Sequence, residues 1–182
     1  MDQTLITPNL KLRRWQPSDR EQFRALNRDP RVMEFFPALL TAEESDAAIA
    51  RIERHFELHS FGLYAAEFKE TAQFIGFIGL SKPTFDAPFM PAVEIGWRLA
   101  AQMWGRGLAT EGALAVVNHA FGPLQLASLV SFTSAANLRS RRVMEKIGMV
   151  HDCAGDFEHP RLAEHHALRA QVLYRLRSPA AG

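Results

Sequence analysis

Apolar and basic residues alternate through positions 10–15 (LKLRRW), a period of two that predicts a strand. The period then changes. Ser18 and Glu21 are spaced as in a capping box and predict a short helix over 17–27. Thr41 and Glu44 repeat that pattern before a longer helix, in which Ala48, Ile49, Ile52 and Phe56 share one face. Residues 61–68 and 74–80 flank the polar KETAQ and predict an antiparallel hairpin. A loop over 86–92, a strand over 93–99, a helix over 108–121 and an apolar β-rich run over 126–132 follow. Residues 137–147 predict a helix closed by Gly148 as its C-cap. The last two strands are expected over 150–157 and 167–176, parted by the polar loop HPRLAEHH.

Strand–helix–strand order occurs twice in the middle of the chain. A helical crossover joins parallel strands, so at least one parallel pairing is required. The fold class is α/β (α+β), with about seven strands in a mixed sheet and helices on its faces. No linker or repeat divides the 182 residues, so 1–182 reads as a single domain with a loose tail over 177–182.

Composition narrows the function classes. A formal net charge of +1 gives no argument for nucleic acid or an anionic membrane as partner. No run approaches a membrane span, and the N-terminal stretch has no apolar core of signal-peptide length. The single cysteine, Cys153, excludes an internal disulfide and suits a reducing compartment, so a cytoplasmic protein is expected. A catalytic thiol needs a base beside it, and the sequence around Cys153 shows none.

The candidate chemistry centres on QMWGRGLATE (102–111), where two glycines join a predicted strand to a predicted helix. A P-loop would need Lys and Ser or Thr after its last glycine, but Leu108 and Ala109 stand there. A dinucleotide fingerprint would need a third glycine, which is missing. What remains is bare backbone opening into a helix whose first N–H groups are unpaired, a setting for phosphate or pyrophosphate. Gln102 could hydrogen-bond across the turn, and Arg106 could add charge at its rim. A plain tight turn that uses glycine for its backbone angles is the other reading.

The stretch EIGWRLAAQMWGRGLATEGALAVVNHAF resembles the acetyl-coenzyme A site of the GNAT N-acetyltransferases, with Gln102, Gly105 and Gly107 on the Q/R-x-x-G-x-G/A signature. NLRSRRVMEKIGM (137–149) resembles the family's next helix, and LITPNLKLRRWQPSDREQF the start of its RimJ/RimL-like branch. The similarity covers most of residues 5–176. It implies a mixed, mostly antiparallel sheet and transfer of an acetyl group from acetyl-CoA to a primary amine, on a protein N-terminus or a small molecule, with CoA as product.

The resemblance also implies roles. Backbone of Trp97 and Leu99 would pair with the pantetheine arm. The turn Gly105, Arg106, Gly107, Leu108, Ala109, Thr110, with Gln102, would hold the pyrophosphate. Asn137 would bind the cofactor's amide chain, and Ser140 would sit near the thioester sulfur. Glu94 occupies the strand position that often carries the base; an ordinary solvent-facing or salt-bridged strand carboxylate is the alternative. Arg139, Arg141 and Arg142 read as a solvated helix face, or at least one of them reaches the 3′-phosphate, with Arg142 taken as the site residue. Many members carry a tyrosine acid on the second helix. Here Met144 stands near that place, the tyrosines are Tyr64 and Tyr174, and Ser140 is the candidate for that contact.

His159, His165 and His166 are not spaced as a zinc site, so no metal is expected and they read as a loop, solvated or at the substrate mouth. Phe35, Phe36 and Pro37 would form a wall of the acceptor pocket, or ordinary core. A non-catalytic acyl-CoA-binding sensor is the competing function; Glu94 beside the glycine turn favours the enzyme. A strand edge or helix could serve pairing into a homodimer, which composition does not decide.

Overall fold

The computed structural model describes residues 4–179, in which nine strands form one sheet and four α-helices flank it. The strands are β1 (Leu5–Ile6), β2 (Leu10–Arg13), β3 (Leu63–Phe68), β4 (Gln73–Ser81), β5 (Glu94–Leu99), β6 (Ser128–Ser134), β7 (Val150–His151), β8 (Phe157–Glu158) and β9 (Ala170–Arg177). The helices are α1 (Asp19–Arg28), α2 (Ala42–His59), α3 (Leu108–Phe121) and α4 (Leu138–Lys146). The sheet runs β1-β2-β3-β4-β5-β6-β9-β7, with β8 also on β9.

About seven strands were expected and nine are present. β1 is a two-residue addition to the edge, and the strand expected over 150–157 is broken. A short 3-10 turn, Cys153–Gly155, splits it into β7 and β8, with the Gly155 N–H bonded to the Asp152 carbonyl at 2.8 Å. The tail also departs from expectation. Arg177 still pairs with Ser128, and the Ser178 N–H donates to Ala127 at 2.9 Å. Residues 180–182 of that tail lie outside the described residues. No helix among the described residues is long and apolar enough to cross a membrane.

Of the two expected capping boxes, only one forms. Thr41 accepts from the Glu44 N–H at 3.1 Å, and Glu44 accepts from the Thr41 N–H at 2.8 Å. Ser18 makes no such bond. The opening of α1 is held by Asp19, which accepts from the Gln16 N–H at 2.8 Å and from the Arg13 guanidinium at 2.7 and 2.9 Å. Arg13 also donates to Glu67 at 2.7 Å, so one buried cation has two carboxylates. The core above these charges is Leu10, Leu12, Tyr64, Ile78, Leu80 and Ile95 from the sheet with Ala113 and Val116 from α3.

α1 and α3 cover opposite faces. Phe23 of α1 meets Phe77 at 6.2 Å and Phe74 at 6.4 Å between ring centres. On the other face Gly112 of α3 lies against Ile78 and Leu10, close enough that a side chain there would have to displace the ends of both. In the first turn of α3, Glu111 accepts from Thr7 Oγ1, the Asn9 N–H and Asn9 Nδ2 at 2.5, 2.7 and 2.8 Å, which ties the helix to the β1–β2 turn.

The buried Arg13–Asp19 pair gives a stability test. Removing one partner of a buried pair leaves the other charge uncompensated, at a cost of about 3 kcal/mol. Asp19→Asn should lower the unfolding free energy by about that amount. Arg13→Met with Asp19→Leu should cost less than Asp19→Asn alone. Urea titration of the three proteins checks the order.

Candidate active site

β4 and β5 are fully paired, from Gly76 opposite Leu99 to Ser81 opposite Glu94. β5 and β6 are not. They run parallel and share a single register pair, Glu94 with Val130, where the Val130 N–H donates to the Val93 carbonyl at 2.9 Å. Beyond that point the strands part. Backbone groups alternate in direction along a strand, so those of Ile95, Trp97 and Leu99 face the opening, as Val93 does. The register pair takes the Ile95 N–H and the Trp104 indole N–H takes the Leu99 carbonyl at 2.8 Å, which leaves the backbone between them, at Trp97, without a partner in β6.

A cavity of about 550 Å³ fills this fork. It runs from Glu94 and Ser131 past Trp97 and Leu99 to the turn before α3. There Gly105 and Gly107 have φ of 75° and 78°, left-handed values that favour glycine, and nothing lies within 4 Å of where their side chains would be. Gly107 caps α3 with no side-chain bond to the first turn. The amides of Leu108, Ala109 and Thr110 therefore begin a helix beside open space, where the helix dipole favours an anion.

Most of the residues singled out from sequence line this cavity: Glu94, Trp97, Leu99, Gly105, Gly107, Leu108, Ala109, Thr110, Asn137, Ser140 and Arg142. Gln102 and Arg106 do not. Gln102 is exposed and makes no hydrogen bond across the turn among the described residues, and Arg106 lies over the Phe68 ring at 4.6 Å. The Asn137 side chain is engaged by its own helix and by β6, accepting from the Ser140 N–H at 3.2 Å and donating to Thr133 at 3.0 Å. Ser140 Oγ has no partner among the described residues. Of the three arginines on α4, Arg141 turns away to Tyr174 and the Ala135 carbonyl. Arg139 and Arg142 line the cavity with Lys146, and Arg139 also pairs with Glu34 at 2.7 Å and lies over Trp104 at 4.4 Å.

Glu94 stands at the base of the fork. The cavity reaches its edge, while protein surrounds its carboxyl. Burial pushes this carboxyl up to about 7, against the smaller opposing effect of the Ser81 hydroxyl, which donates at 3.2 Å. The salt-bridged alternative is absent, for no cation pairs with Glu94 among the described residues. A group of this kind is half ionised near neutrality, which suits proton transfer.

Phe35, Phe36 and Pro37 also line the cavity with Val32, as does His159. His159 packs on Phe85 at 4.7 Å, and burial followed by the charge of Arg161 lowers its pKa, which favours the neutral ring. His165 and His166 do not line the cavity, and no three His, Cys, Asp or Glu side chains gather as a metal set among the described residues. Cys153 differs from expectation: His151 Nδ1 lies 3.4 Å from its sulfur, and Asp156 holds the other ring nitrogen at 2.9 Å. The base is present, but the group stands outside the cavity.

Sequence reasoning missed Arg98, Ser81, Trp104 and Lys146. Arg98 had a signal: it follows Glu94 and Gly96 at the strand period, on the same face.

A family model described as an acetyltransferase (GNAT) domain matches residues 9–150. The protein YkkB of Bacillus subtilis is 30% identical over 80% of this chain and 84% of its own. An Aspergillus fumigatus protein, FsC-acetyl coenzyme A-N(2)-transacetylase, is 32% identical over 81% of this chain and 65% of its own length. The solved structure of RimL, a ribosomal L7/L12 α-N-protein acetyltransferase in complex with coenzyme A, superposes with a TM-score of 0.79 over 99% of this chain and 100% of that one. At 13% identity the likeness is one of fold.

Glu94 also gives a stability test. The folded chain holds its proton up to a pH near 7, whereas the unfolded chain releases it near 4.5, so stability falls as the pH rises between those values. Glu94→Gln removes the burden. Its melting temperature should gain on the wild type more at pH 8 than at pH 5. An equal difference at both pH values would show that Glu94 ionises normally.

Proposed function

The chain belongs to the GNAT acetyltransferase family, and from that premise we propose that it moves the acetyl group of acetyl-CoA to a primary amine through the fork between β5 and β6. The observation that carries this is the fork itself: an open strand edge leads from a buried carboxylate to a left-handed glycine turn at a helix N-terminus. The fit extends along the whole cofactor. Backbone of Trp97 suits an amide-bearing arm. The amides of Gly105 to Thr110 suit a pyrophosphate, and Arg139, Arg142 and Lys146 suit a further phosphate. The A. fumigatus relative carries acetyl coenzyme A and an N-acetyl transfer in its name, and the RimL structure holds coenzyme A.

The cofactor supplies an acyl group activated as a thioester. The chain's own groups do the rest. An alkylamine is mostly protonated at neutral pH and cannot attack until it loses that proton. Glu94, directly or through one water, takes the proton, and its raised pKa makes it a stronger base than an ordinary carboxylate. The backbone N–H groups on the open edge of β5 face the developing oxyanion. Ser140 Oγ, on α4 and without a partner among the described residues, would be the donor to the leaving sulfur. The acceptor is a protein N-terminus or a small amine that enters along the wall of Phe35, Phe36 and Pro37.

Two measurements test this reading. Thiol release from acetyl-CoA, followed against peptides and small amines, should show a kcat that rises with pH until Glu94 is ionised, near pH 7. Glu94→Gln should lower kcat on the order of 100-fold and erase that rise, with acetyl-CoA affinity nearly intact. A variant with the wild-type rate at pH 7 would remove Glu94 from the mechanism. Independently, Gly107→Val should weaken acetyl-CoA binding by roughly 2 kcal/mol, by straining a left-handed residue and covering the helix amides. Calorimetry on the folded variant decides, and unchanged affinity would show that the turn does not hold the cofactor.

A further inference from the structure

Among the described residues, buried Arg13 and half-buried Arg98, whose Nε is fully enclosed, differ in their partners. Arg13 has Asp19 and Glu67. Arg98, on β5, has none: among the described residues no carboxylate lies within 4.0 Å of it. Its guanidinium lies over the Phe36 ring at 3.8 Å and within 5.3 Å of the Phe77 ring. Nη1 donates to Asn27 Oδ1 at 2.6 Å, and buried Nε donates to nothing. Burial pulls its pKa down to about 10, the mark of a cation that its surroundings do not fully compensate. Aromatic faces and a neutral amide offset part of that cost; a buried guanidinium is normally completed by an anion.

The missing anion is placed by geometry. Arg98 lines the cavity and shares a strand face with Glu94, since each lies opposite the β4 residue, Phe77 or Ser81, that it touches. That face carries α1 and the Phe35–Pro37 wall, where the acceptor enters under the function proposed above. The glycine turn that would receive the cofactor's pyrophosphate lies past the end of β5.

We propose that Arg98 is the anion subsite for the acceptor, so that the preferred acceptor carries a carboxylate several bonds from its amine. The proposal rests on the reading that the amine is delivered to Glu94. Four residues along a strand separate the two positions by about 13 Å between Cα atoms. An α-amino acid, with one carbon between nitrogen and carboxylate, is short for that span. An ω-amino acid, or a short peptide with a terminal or side-chain carboxylate, fits it. Phe36 and Phe77 fix the plane of the guanidinium and so the direction from which a carboxylate docks.

The probes are ω-amino acids of two to seven carbons, each paired with its carboxamide. In the wild type the acids should show a KM at least tenfold below that of their amides, with the preference greatest at the longer spacings. Arg98→Gln should raise the KM of the acids to that of the amides and leave the amides and the Kd of acetyl-CoA unchanged. Arg98→Lys, which keeps the charge but loses the planar fork, should retain part of the preference and serves if the glutamine variant does not fold. Equal KM for acids and amides in the wild type overturns the proposal, as does a variant that weakens both alike. Loss of acetyl-CoA affinity alone would assign Arg98 to a cofactor phosphate and also overturn it. If no amine is acetylated, the acetyltransferase reading fails separately. The subsite is then read by hexanoate binding in ligand-observed NMR, which Arg98→Gln should abolish and whose absence in the wild type overturns the subsite.

Discussion

The parting of β5 from β6 is the constraint on which the site depends. Two parallel strands joined by a helical crossover would ordinarily pair along their length. Here one register pair holds them, and the rest of the β5 edge is left to satisfy its hydrogen bonds elsewhere. An unpaired strand edge inside a protein is costly. This one is tolerated because it lines a cavity and because Trp104 caps its far end at Leu99. The same parting brings Glu94 to the apex of the fork and aims the end of β5 at the turn before α3. The turn must reverse direction within a few residues, and its two left-handed positions require glycine. Strand edge, carboxylate and glycine turn are thus three consequences of one failure to pair.

A second theme is charge withheld from water. Glu94 and Arg98 lie on one strand face, and burial acts on both in the direction of neutrality, raising the acid and lowering the base. They do not neutralise one another, for each has a neutral partner instead, Ser81 for the carboxyl and Asn27 for the guanidinium. The Arg13, Asp19 and Glu67 cluster at the other end of the sheet shows the opposite arrangement, in which opposite charges are paired and serve the fold. Paired charges fix structure, whereas unpaired ones leave interaction free energy for a ligand.

Much of this was legible in the sequence, for reasons that can be named. The long helices and central strands follow periodic patterns that burial imposes directly, so α2, α3 and the β3–β4 hairpin appear where periodicity places them. The glycine turn was legible because left-handed backbone has few alternatives in composition. What failed was non-local. Ser18 looks like a cap, but Arg13 recruits Asp19 and the carboxylate takes over the opening of α1. The 150–157 segment is apolar enough for one strand, yet the turn at Cys153–Gly155 divides it. Arg98 was missed because Phe36, which lies over its guanidinium, is far away in the chain. Arg106 has a neighbour that the turn alone does not indicate, the ring of Phe68 under its guanidinium.

The attachment of α3 carries one more consequence. Its first turn presents the amides beside the glycine turn and also, through Glu111, holds the β1–β2 turn by Thr7 and Asn9. Occupancy at those amides and docking of the N-terminal hairpin therefore share one rigid element. Thermodynamic reciprocity then requires that whatever steadies that helical turn for one steadies it for the other. Hydrogen exchange in the hairpin would slow when the turn is filled, and loosening the hairpin would weaken the grip on the ligand by the same factor. The first strands of the chain, remote from the fork in sequence, are in this way fastened to the helix that opens onto it.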